Sequence, residues 1–264
     1  MAFTPVSAPA AIDHLKAVRL IATDMDGTLT IAGKFTAALL QAFERLAAAE
    51  IPVLIVTGRS AGWVSGLVNY LPVWGAIAEN GGVAYTKDTD PIVLSLIVDL
   101  TQHRQQLAQV FAHLQTQFPQ LQESTDNRFR LTDWTFDIAG LSIDNVRAIA
   151  AQCREWNWGF TYSTIQCHIK LPQQDKAAGV LRVLMQHFPT CDPAQVITVG
   201  DSPNDESLFD PTRFPLAVGV ANVQEFADQL THQPSYRTRA AEGNGFVELV
   251  DVLLANRGHI NRPG

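Results

Sequence analysis

Short, mostly apolar segments alternate with amphipathic ones along much of this chain. Residues 18–22 form the first apolar segment, and the stretch 36–50 carries leucines and a phenylalanine at helical spacing. A second apolar segment, Val53–Val56, precedes a predicted helix at 61–71 and a third short strand at 76–78. This alternation predicts an α/β fold, in which helices cover both faces of a doubly wound parallel sheet.

The pattern changes between residues 83 and 172, where alternating strands outnumber helices. We predict that this region is an inserted α+β domain of two helix–strand–strand units, within a core domain formed by residues 1–82 and 173–264. The predicted elements of the insertion are strands at 83–86 and 92–96, a helix at 102–118, a strand at 128–138, a helix at 144–156, and paired strands at 160–163 and 166–171.

The first pattern resumes after Pro172. It predicts a helix at 176–188 and a fourth buried strand at 196–199. Shorter elements follow these two: a strand at 216–218 and helices at 223–230 and 245–254.

Polar clusters follow these strands or open a helix of the predicted core. Because the carboxyl ends of parallel strands share one edge of a sheet, we expect the clusters to converge there. Carboxylates packed closely favour a bound cation, and a set of oxygen donors without histidine or cysteine favours Mg2+ over zinc or copper. The clusters are Asp24 with Asp26, Thr57-Gly58-Arg59, Lys176, and Asp201 with Asn204 and Asp205.

The same clusters suit a phosphate group. Thr57 and the backbone N–H groups around Gly58 can donate to phosphoryl oxygens, beside the start of a helix near Ser60. Lys176 supplies a compact positive charge, and Lys170 competes with it for this role. The alternative interpretation is structural, since Asp-Gly favours turns and aspartate often caps a helix.

Composition narrows the classes of function. Hydrophobic residues make up 47% of the 264 and charged residues 17%, as in ordinary globular enzymes. A formal net charge of −7 without a long basic segment disfavours nucleic acid as a partner. Three widely spaced cysteines, no signal-peptide pattern and no long apolar segment predict a cytoplasmic protein that does not engage a membrane. The oligomeric state is not predicted.

Four motifs in this order resemble those of the haloacid dehalogenase superfamily. They are Asp24-Met25-Asp26-Gly27-Thr28-Leu29, Thr57-Gly58-Arg59, Lys176, and Gly200-Asp201-Ser202-Pro203-Asn204-Asp205. The inserted region is similar to the C2-type cap of the Cof-like and sucrose- or mannosylglycerate-phosphatase branch. The resemblance spans the whole chain and implies a Rossmann-like core with a cap.

The resemblance also implies roles. Asp24 would be the nucleophile, and Asp26 the acid and base whose backbone carbonyl faces the metal. Asp24 and Asp201 would bind Mg2+, with Asp205 acting directly or through water. Thr57, Gly58 and Lys176 would hold the phosphoryl group, and Asn204 would orient the metal shell or the lysine.

Substrate choice is predicted to reside in the cap. Arg128 and Arg130 share one face of the predicted strand at 128–138, and with His168 they are candidates to bind a second anionic group. A solvated strand face is the alternative for the two arginines. Arg59 is a candidate for substrate contact or for a structural ion pair. Glu79 and Asn80 lie in the predicted hinge between the domains, and either one is a candidate to contact a substrate hydroxyl.

The expected activity is Mg2+-dependent phosphatase action on a phosphorylated small metabolite, a sugar phosphate or glycosyl phosphoglycerate, through an aspartyl-phosphate. A phosphomannomutase-like phosphotransferase is an alternative, because it shares the nucleophile, the acid and the cap class. A catalytically silent sugar-phosphate-binding protein is a third possibility, which the intact acidic motifs disfavour.

Overall fold

The computed structural model describes residues 3–87 and 89–257. Within that range nine strands form one sheet, in the order β1-β12-β11-β10-β2-β3-β4-β5-β6. These strands are β1 (Thr4–Pro5), β2 (Leu20–Thr23), β3 (Val53–Val56), β4 (Gly75–Ala78), β5 (Val83–Thr86), β6 (Ile92–Val93), β10 (Val196–Gly200), β11 (Leu216–Gly219) and β12 (Tyr236–Arg237).

Neighbouring strands from β1 to β4 pair in the parallel direction, as the sequence predicts. Successive residues of β3 alternate between two hydrophobic layers, with Val53 and Ile55 on one face and Leu54 and Val56 on the other. Both faces are buried because helices cover them. The covering helices are α1 (Pro9–Leu15), α2 (Ala37–Ala48), α3 (Ala61–Tyr70), α6 (Lys176–His187) and α7 (Glu242–Asn256).

The insertion has its own sheet and its own hydrophobic core. Strands β7 (Trp134–Asp137), β8 (Gly159–Tyr162) and β9 (Gln166–Lys170) pair antiparallel in the order β7-β9-β8. Helices α4 (Leu100–Gln117) and α5 (Ile143–Glu155) pack on this sheet through a separate cluster of buried apolar side chains.

Two strands of the predicted insertion belong to the large sheet instead. β5 pairs antiparallel with β4, and β6 pairs antiparallel with β5. The first helix–strand–strand unit is therefore reduced to α4 and β7. We propose that the inserted domain starts after β6.

The predicted strand at 128–138 is wrong in its first half. Asn127–Phe129 form a 3-10 helix, and the strand starts only at Trp134. The segment predicted as a helix at 223–230 is the 3-10 helix Ala221–Gln229. Strands β1 and β12 and helix α1 were not predicted, because they are short. None of the described helices has the length and apolarity that a membrane crossing requires.

Candidate active site

The acidic cluster lies where two neighbouring strands end. Asp24 directly follows β2, and Asp201 directly follows β10, the strand beside it. Asp205 comes from the 3-10 helix Pro203–Phe209. One carboxylate oxygen from each of the three aspartates lies within 4.8 Å of the others, and all three side chains are buried. The predicted convergence at the sheet edge therefore occurs.

Lys176 reaches this cluster from the first turn of α6. Its Nζ donates to Asp24 Oδ1 at 2.5 Å and to Asp205 Oδ1 at 2.5 Å, with no exposed surface on the lysine side chain. Lys170, the competing lysine, donates instead to the backbone carbonyl of Gln174. The structure thus places Lys176, not Lys170, beside the carboxylates.

Negative charge exceeds positive charge in this cluster. Burial raises the pKa of Asp24 to about 7; the nearby Asp205 carboxylate adds to the rise, and Lys176 opposes it. Burial and the Asp24 carboxylate also raise the pKa of Asp201 well above its usual range. Burial opposes the charge of Lys176, yet Asp205 and Asp24 raise its pKa. A divalent cation bound by oxygen ligands would relieve this excess, and the donors present are all oxygens.

Asp201 is held in place by groups on two different segments. Its Oδ1 accepts from Thr28 Oγ1 at 3.0 Å, and its Oδ2 accepts from Asn222 Nδ2 at 2.9 Å. A Cβ at Gly27, which has φ +85°, would lie 2.6 Å from Asp201 Oδ2. Only glycine fits this turn, which explains the Asp-Gly-Thr sequence that follows the first strand.

Asp26 forms an ion pair rather than joining the acidic cluster. Arg59 donates from Nε to Asp26 Oδ2 at 2.9 Å and from Nη2 to Oδ1 at 2.7 Å. This bidentate contact raises the pKa of Arg59. Thr57 follows β3, and its hydroxyl accepts from the Arg59 backbone N–H. The two predicted clusters, Asp24 with Asp26 and Thr57 with Gly58 and Arg59, therefore face each other.

A small cavity of about 20 Å³ lies over these groups, enough space for about one water molecule. The hairpin between β8 and β9, residues 163–166, closes it from the insertion side. His168 also lines it, and its Nδ1 is 2.8 Å from Asp133 Oδ2. A Cβ at Gly58 would lie 3.1 Å from the His168 ring, so glycine allows the insertion to approach the core.

Arg130 is not available for a substrate anion. It lies in the turn after the 3-10 helix, fully buried, and donates to Asp133 Oδ1 and Asp126 Oδ2, both at 2.9 Å. It also donates to the carbonyl of Gly58 in the core at 3.0 Å. Arg128 is exposed, with its guanidinium 4.7 Å from the centroid of the Phe129 ring. The predicted shared strand face of the two arginines is wrong, because no strand forms there.

Glu79 fastens the insertion to the core. Its buried carboxylate accepts from the backbone N–H groups of Ala61, Leu131 and Thr132, and from the Thr132 hydroxyl. Burial, aided by the Asp133 carboxylate, raises its pKa. These donors occupy both carboxylate oxygens, so Glu79 does not reach a substrate hydroxyl as expected.

Asn80, in the hinge, contacts Asn204, in the 3-10 helix that follows β10. Asn204 Nδ2 donates to Asn80 Oδ1 at 3.3 Å, and Asn204 Oδ1 accepts from the Ser202 hydroxyl. The structure therefore connects Asn204 with Asn80 rather than with the Lys176 ammonium, whose partners are carboxylates.

Several residues of the site were missed in the sequence. Thr28 could have been predicted, because it belongs to the first acidic motif. The turn at 163–166 could also have been predicted, because it lies between two predicted strands. Asn222 and Asp133 carry no local signal, because neither lies in a motif and each acts only through a tertiary contact.

The sequence is similar to a known protein family and to several proteins of known name. Residues 21–118 match the family described as haloacid dehalogenase-like hydrolase. A phosphoglycolate phosphatase of Haloarcula marismortui is 30% identical over 203 residues, which cover 75% of this chain and 82% of that protein. A phosphoglycolate phosphatase of Methanothrix thermoacetophila is 27% identical over 241 residues, 90% of this chain and 98% of that one.

A solved structure shows the same fold. The sucrose-phosphatase of Synechocystis, in complex with sucrose and phosphate, has a TM-score of 0.67 and 17% identity, and covers 89% of this chain and 97% of that one. The chain therefore belongs to the haloacid dehalogenase-like hydrolases. Within that family it is an enzyme, a phosphatase. The family, the fold class and the enzyme type predicted from the sequence are confirmed.

Proposed function

We propose that this phosphatase is a Mg2+-dependent phosphomonoester hydrolase acting on a phosphorylated small metabolite through an aspartyl-phosphate. Sugar phosphates and glycosyl phosphoglycerates are the proposed substrate class. The observation that carries the proposal is the position of Asp24: its carboxylate lies 2.5 Å from the Lys176 ammonium and beside Asp201 at the sheet edge. A nucleophile there meets the phosphoryl group next to positive charge.

The residues divide the reaction between them. Asp24 attacks phosphorus, forming a P–O bond while the bond to the leaving oxygen breaks. Asp26 gives its proton to that oxygen. It then takes a proton from the water that attacks the aspartyl-phosphate, so that the bond between phosphorus and the Asp24 oxygen breaks and inorganic phosphate leaves. Thr57, the backbone at Gly58 and Lys176 bind the phosphoryl oxygens.

The metal would be held by Asp24, Asp201 and the backbone carbonyl of Asp26. Mg2+ supplies positive charge that offsets the phosphate dianion and the carboxylates. Asp205 supports the site indirectly, because its Oδ1 accepts from Lys176 and its Oδ2 accepts from the backbone N–H groups of Asp201 and Ser202. We propose that Asp205 meets the ion through water.

The Arg59–Asp26 pair has a consequence for the acid step. The guanidinium of Arg59 donates to both carboxylate oxygens of Asp26 and holds this side chain in place. Asp26 can turn toward the leaving oxygen only when Arg59 releases it. We propose that the arriving substrate draws Arg59 away, since the side chain is 35% exposed and lines the cavity.

The test is phosphate release from a panel of phosphorylated metabolites, with Mg2+ and with EDTA. We expect steady Mg2+-dependent release by the wild type, abolished in Asp24→Asn. Asp228→Asn is the matched control, because Asp228 is exposed and lies outside the site. No release across the panel would refute the hydrolase, and isomerisation that requires a bisphosphate would indicate a phosphotransferase.

A further inference from the structure

Three consecutive carbonyl groups of the loop after β3 accept hydrogen bonds from donors outside that loop. In each case the donor nitrogen lies 3.0 Å from the carbonyl oxygen. The donors are the backbone N–H of Asn80 for Thr57, the Nη1 group of Arg130 for Gly58, and the backbone N–H of Glu79 for Arg59. The hinge therefore holds the first and third carbonyls, whereas the insertion holds the middle one.

The direction of these carbonyl groups decides what the loop presents to the catalytic cavity, the small cavity that Asp24 and Thr57 line. A carbonyl oxygen carries partial negative charge and repels a phosphoryl group, whereas a backbone N–H or a hydroxyl proton attracts it. In a trans peptide the C=O and the N–H point in opposite directions, so the donor on the Gly58 carbonyl directs the Arg59 N–H toward Thr57 Oγ1, 3.1 Å away. Because the Thr57 hydroxyl oxygen accepts this hydrogen bond, its proton can donate to a phosphoryl oxygen.

Gly58 does not fix the direction of its own carbonyl. Glycine adopts many backbone conformations at little cost, so the peptides on either side of it can rotate. Packing favours glycine at this position, because a Cβ would lie 3.1 Å from the His168 ring and 3.2 Å from Asn80 Nδ2. A donor outside the loop is therefore needed to keep the Gly58 carbonyl out of the catalytic cavity.

Arg130 is held rigidly enough to supply this donor. Its side chain has no exposed surface, and all five of its N–H groups have acceptors. The acceptors are Asp126 for Nε and Nη2, Asp133 and the Gly58 carbonyl for Nη1, and Gln166 Oε1 for the second N–H of Nη2. All of them except Gly58 belong to the insertion. Two carboxylates of the insertion thus orient the guanidinium so that one N–H points at the core.

We propose that Arg130 is a positioning residue, which holds the Gly58 carbonyl out of the catalytic cavity so that the loop binds phosphate only while the insertion is docked on the core. The residue acts through the Gly58 peptide and does not itself contact the phosphoryl group. The inference rests on the proposed function, because it concerns the loop assigned there to phosphoryl binding. It goes further by making the phosphate affinity of the core depend on one buried side chain of the insertion.

The experiment measures the dissociation constant of inorganic phosphate by isothermal titration calorimetry, using the full chain with Mg2+. Arg130→Lys keeps a positive charge beside Asp126 and Asp133, but an ammonium has three N–H groups and no planar fork, so the donor to Gly58 is lost. We expect this variant to bind phosphate about ten- to hundredfold more weakly, the effect of losing a hydrogen bond from a charged group. Asp126→Asn is the matched control. It weakens the same buried cluster but leaves the contact between Arg130 and Gly58, so its phosphate affinity should stay close to that of the wild type.

A nuclear magnetic resonance measurement distinguishes positioning from a general loss of structure. The carbonyl carbon resonance of Gly58, observed through the Arg59 amide, should move upfield in Arg130→Lys and stay in place in Asp126→Asn, because only the first variant removes the hydrogen bond to that carbonyl. If Arg130→Lys does not fold, Arg130→Met combined with Asp133→Asn removes the same donor without leaving the Asp133 charge unpaired.

The outcomes separate this inference from the proposed function. Wild-type phosphate affinity in a folded variant that lacks the Arg130 guanidinium would overturn the inference, as would equal losses of affinity in Arg130→Lys and Asp126→Asn. Absence of phosphate binding by the wild type would overturn it as well. None of these measurements needs turnover. A wild type that binds phosphate as expected but releases none from the metabolite panel would refute the hydrolase and leave the role of Arg130 intact.

Discussion

Replacing Lys176 with methionine would test the electrostatics of the acidic cluster. Methionine keeps an unbranched side chain of similar reach but removes the ammonium that contacts Asp24 and Asp205, each at 2.5 Å. Both contacts are buried, with 0% of the lysine side chain and 5% of the Asp24 side chain exposed. The variant therefore leaves buried carboxylates without their positive partner.

Removing one partner of a buried ion pair costs about 3–5 kcal/mol, and we expect a loss of that size in the free energy of unfolding at pH 8 in EDTA. The loss should be smaller at pH 6. Asp24 already has a pKa raised to about 7, and without Lys176 the pKa rises further. A carboxyl group whose pKa is higher in the folded than in the unfolded state stabilises the fold at low pH, and this stabilisation is lost as the pH rises through the folded-state pKa.

Urea unfolding followed by circular dichroism measures this loss. Lys170→Met is the matched control, because Lys170 is also buried but donates to a backbone carbonyl rather than to a carboxylate. We expect the control to lose less than Lys176→Met, about 1.5–3 kcal/mol, which is the usual contribution of a hydrogen bond from a charged group. Mg2+ should reduce the loss in the free energy of unfolding of Lys176→Met, since a divalent ion offsets the negative charge of the same carboxylates. Equal losses in both variants, or none in Lys176→Met, would refute the reasoning.

The remaining predictions also concern stability. Burial lowers the pKa of His168 despite its contact with Asp133, so the free energy of unfolding falls as the pH drops below about 6.5. Urea unfolding at pH 7.5 and 5.5 should show a smaller fall for His168→Gln than for the wild type, and an equal fall would contradict the lowered pKa of His168. Gly66→Ala should raise the free energy of unfolding by about 1 kcal/mol, because Gly66 is in the middle of α3 with open space around its Cα. Gly81→Ala should lower the free energy of unfolding by about 3 kcal/mol or more, since Gly81 has φ +100° and a Cβ there would lie 2.1 Å from the Asp175 carbonyl oxygen. Thermal unfolding of both variants tests these predictions, and similar melting temperatures for Gly66→Ala and Gly81→Ala would contradict them.

The large sheet and the convergence of its polar clusters were predictable because they depend on local patterns. Strands β2, β3 and β10 are all buried and all apolar except for a threonine or glycine, so each is visible as a short apolar segment. Parallel pairing then brings the residues after each strand to one edge of the sheet, independently of the conformation of the loops. Asp24, Thr57 and Asp201 needed no further information.

The insertion was harder to predict because tertiary contacts override its local pattern. Phe129 and Leu131 alternate with Arg128 and Arg130 as they would in a strand, but Arg130 is drawn into the interior by Asp126 and Asp133. These partners lie three and four residues away and favour a tight turn. The hinge carboxylate of Glu79 binds donors more than fifty residues later in the chain, which no local pattern can show.

The position of β2 in the sheet has a consequence for how the chain acquires its activity during synthesis. β2 lies between β3 and β10, and its register with β10 pairs Leu20 with Val196. On the ribosome β2 and β3 emerge early, whereas β10 emerges only after the whole insertion. One edge of a wholly buried strand therefore stays unpaired until β10 emerges, and its pairing depends on contacts between residues far apart in the chain, which form slowly. Asp24 meets Lys176 and Asp201 only after that delay, so under the proposed mechanism the nascent chain cannot turn over substrate before β10 has emerged.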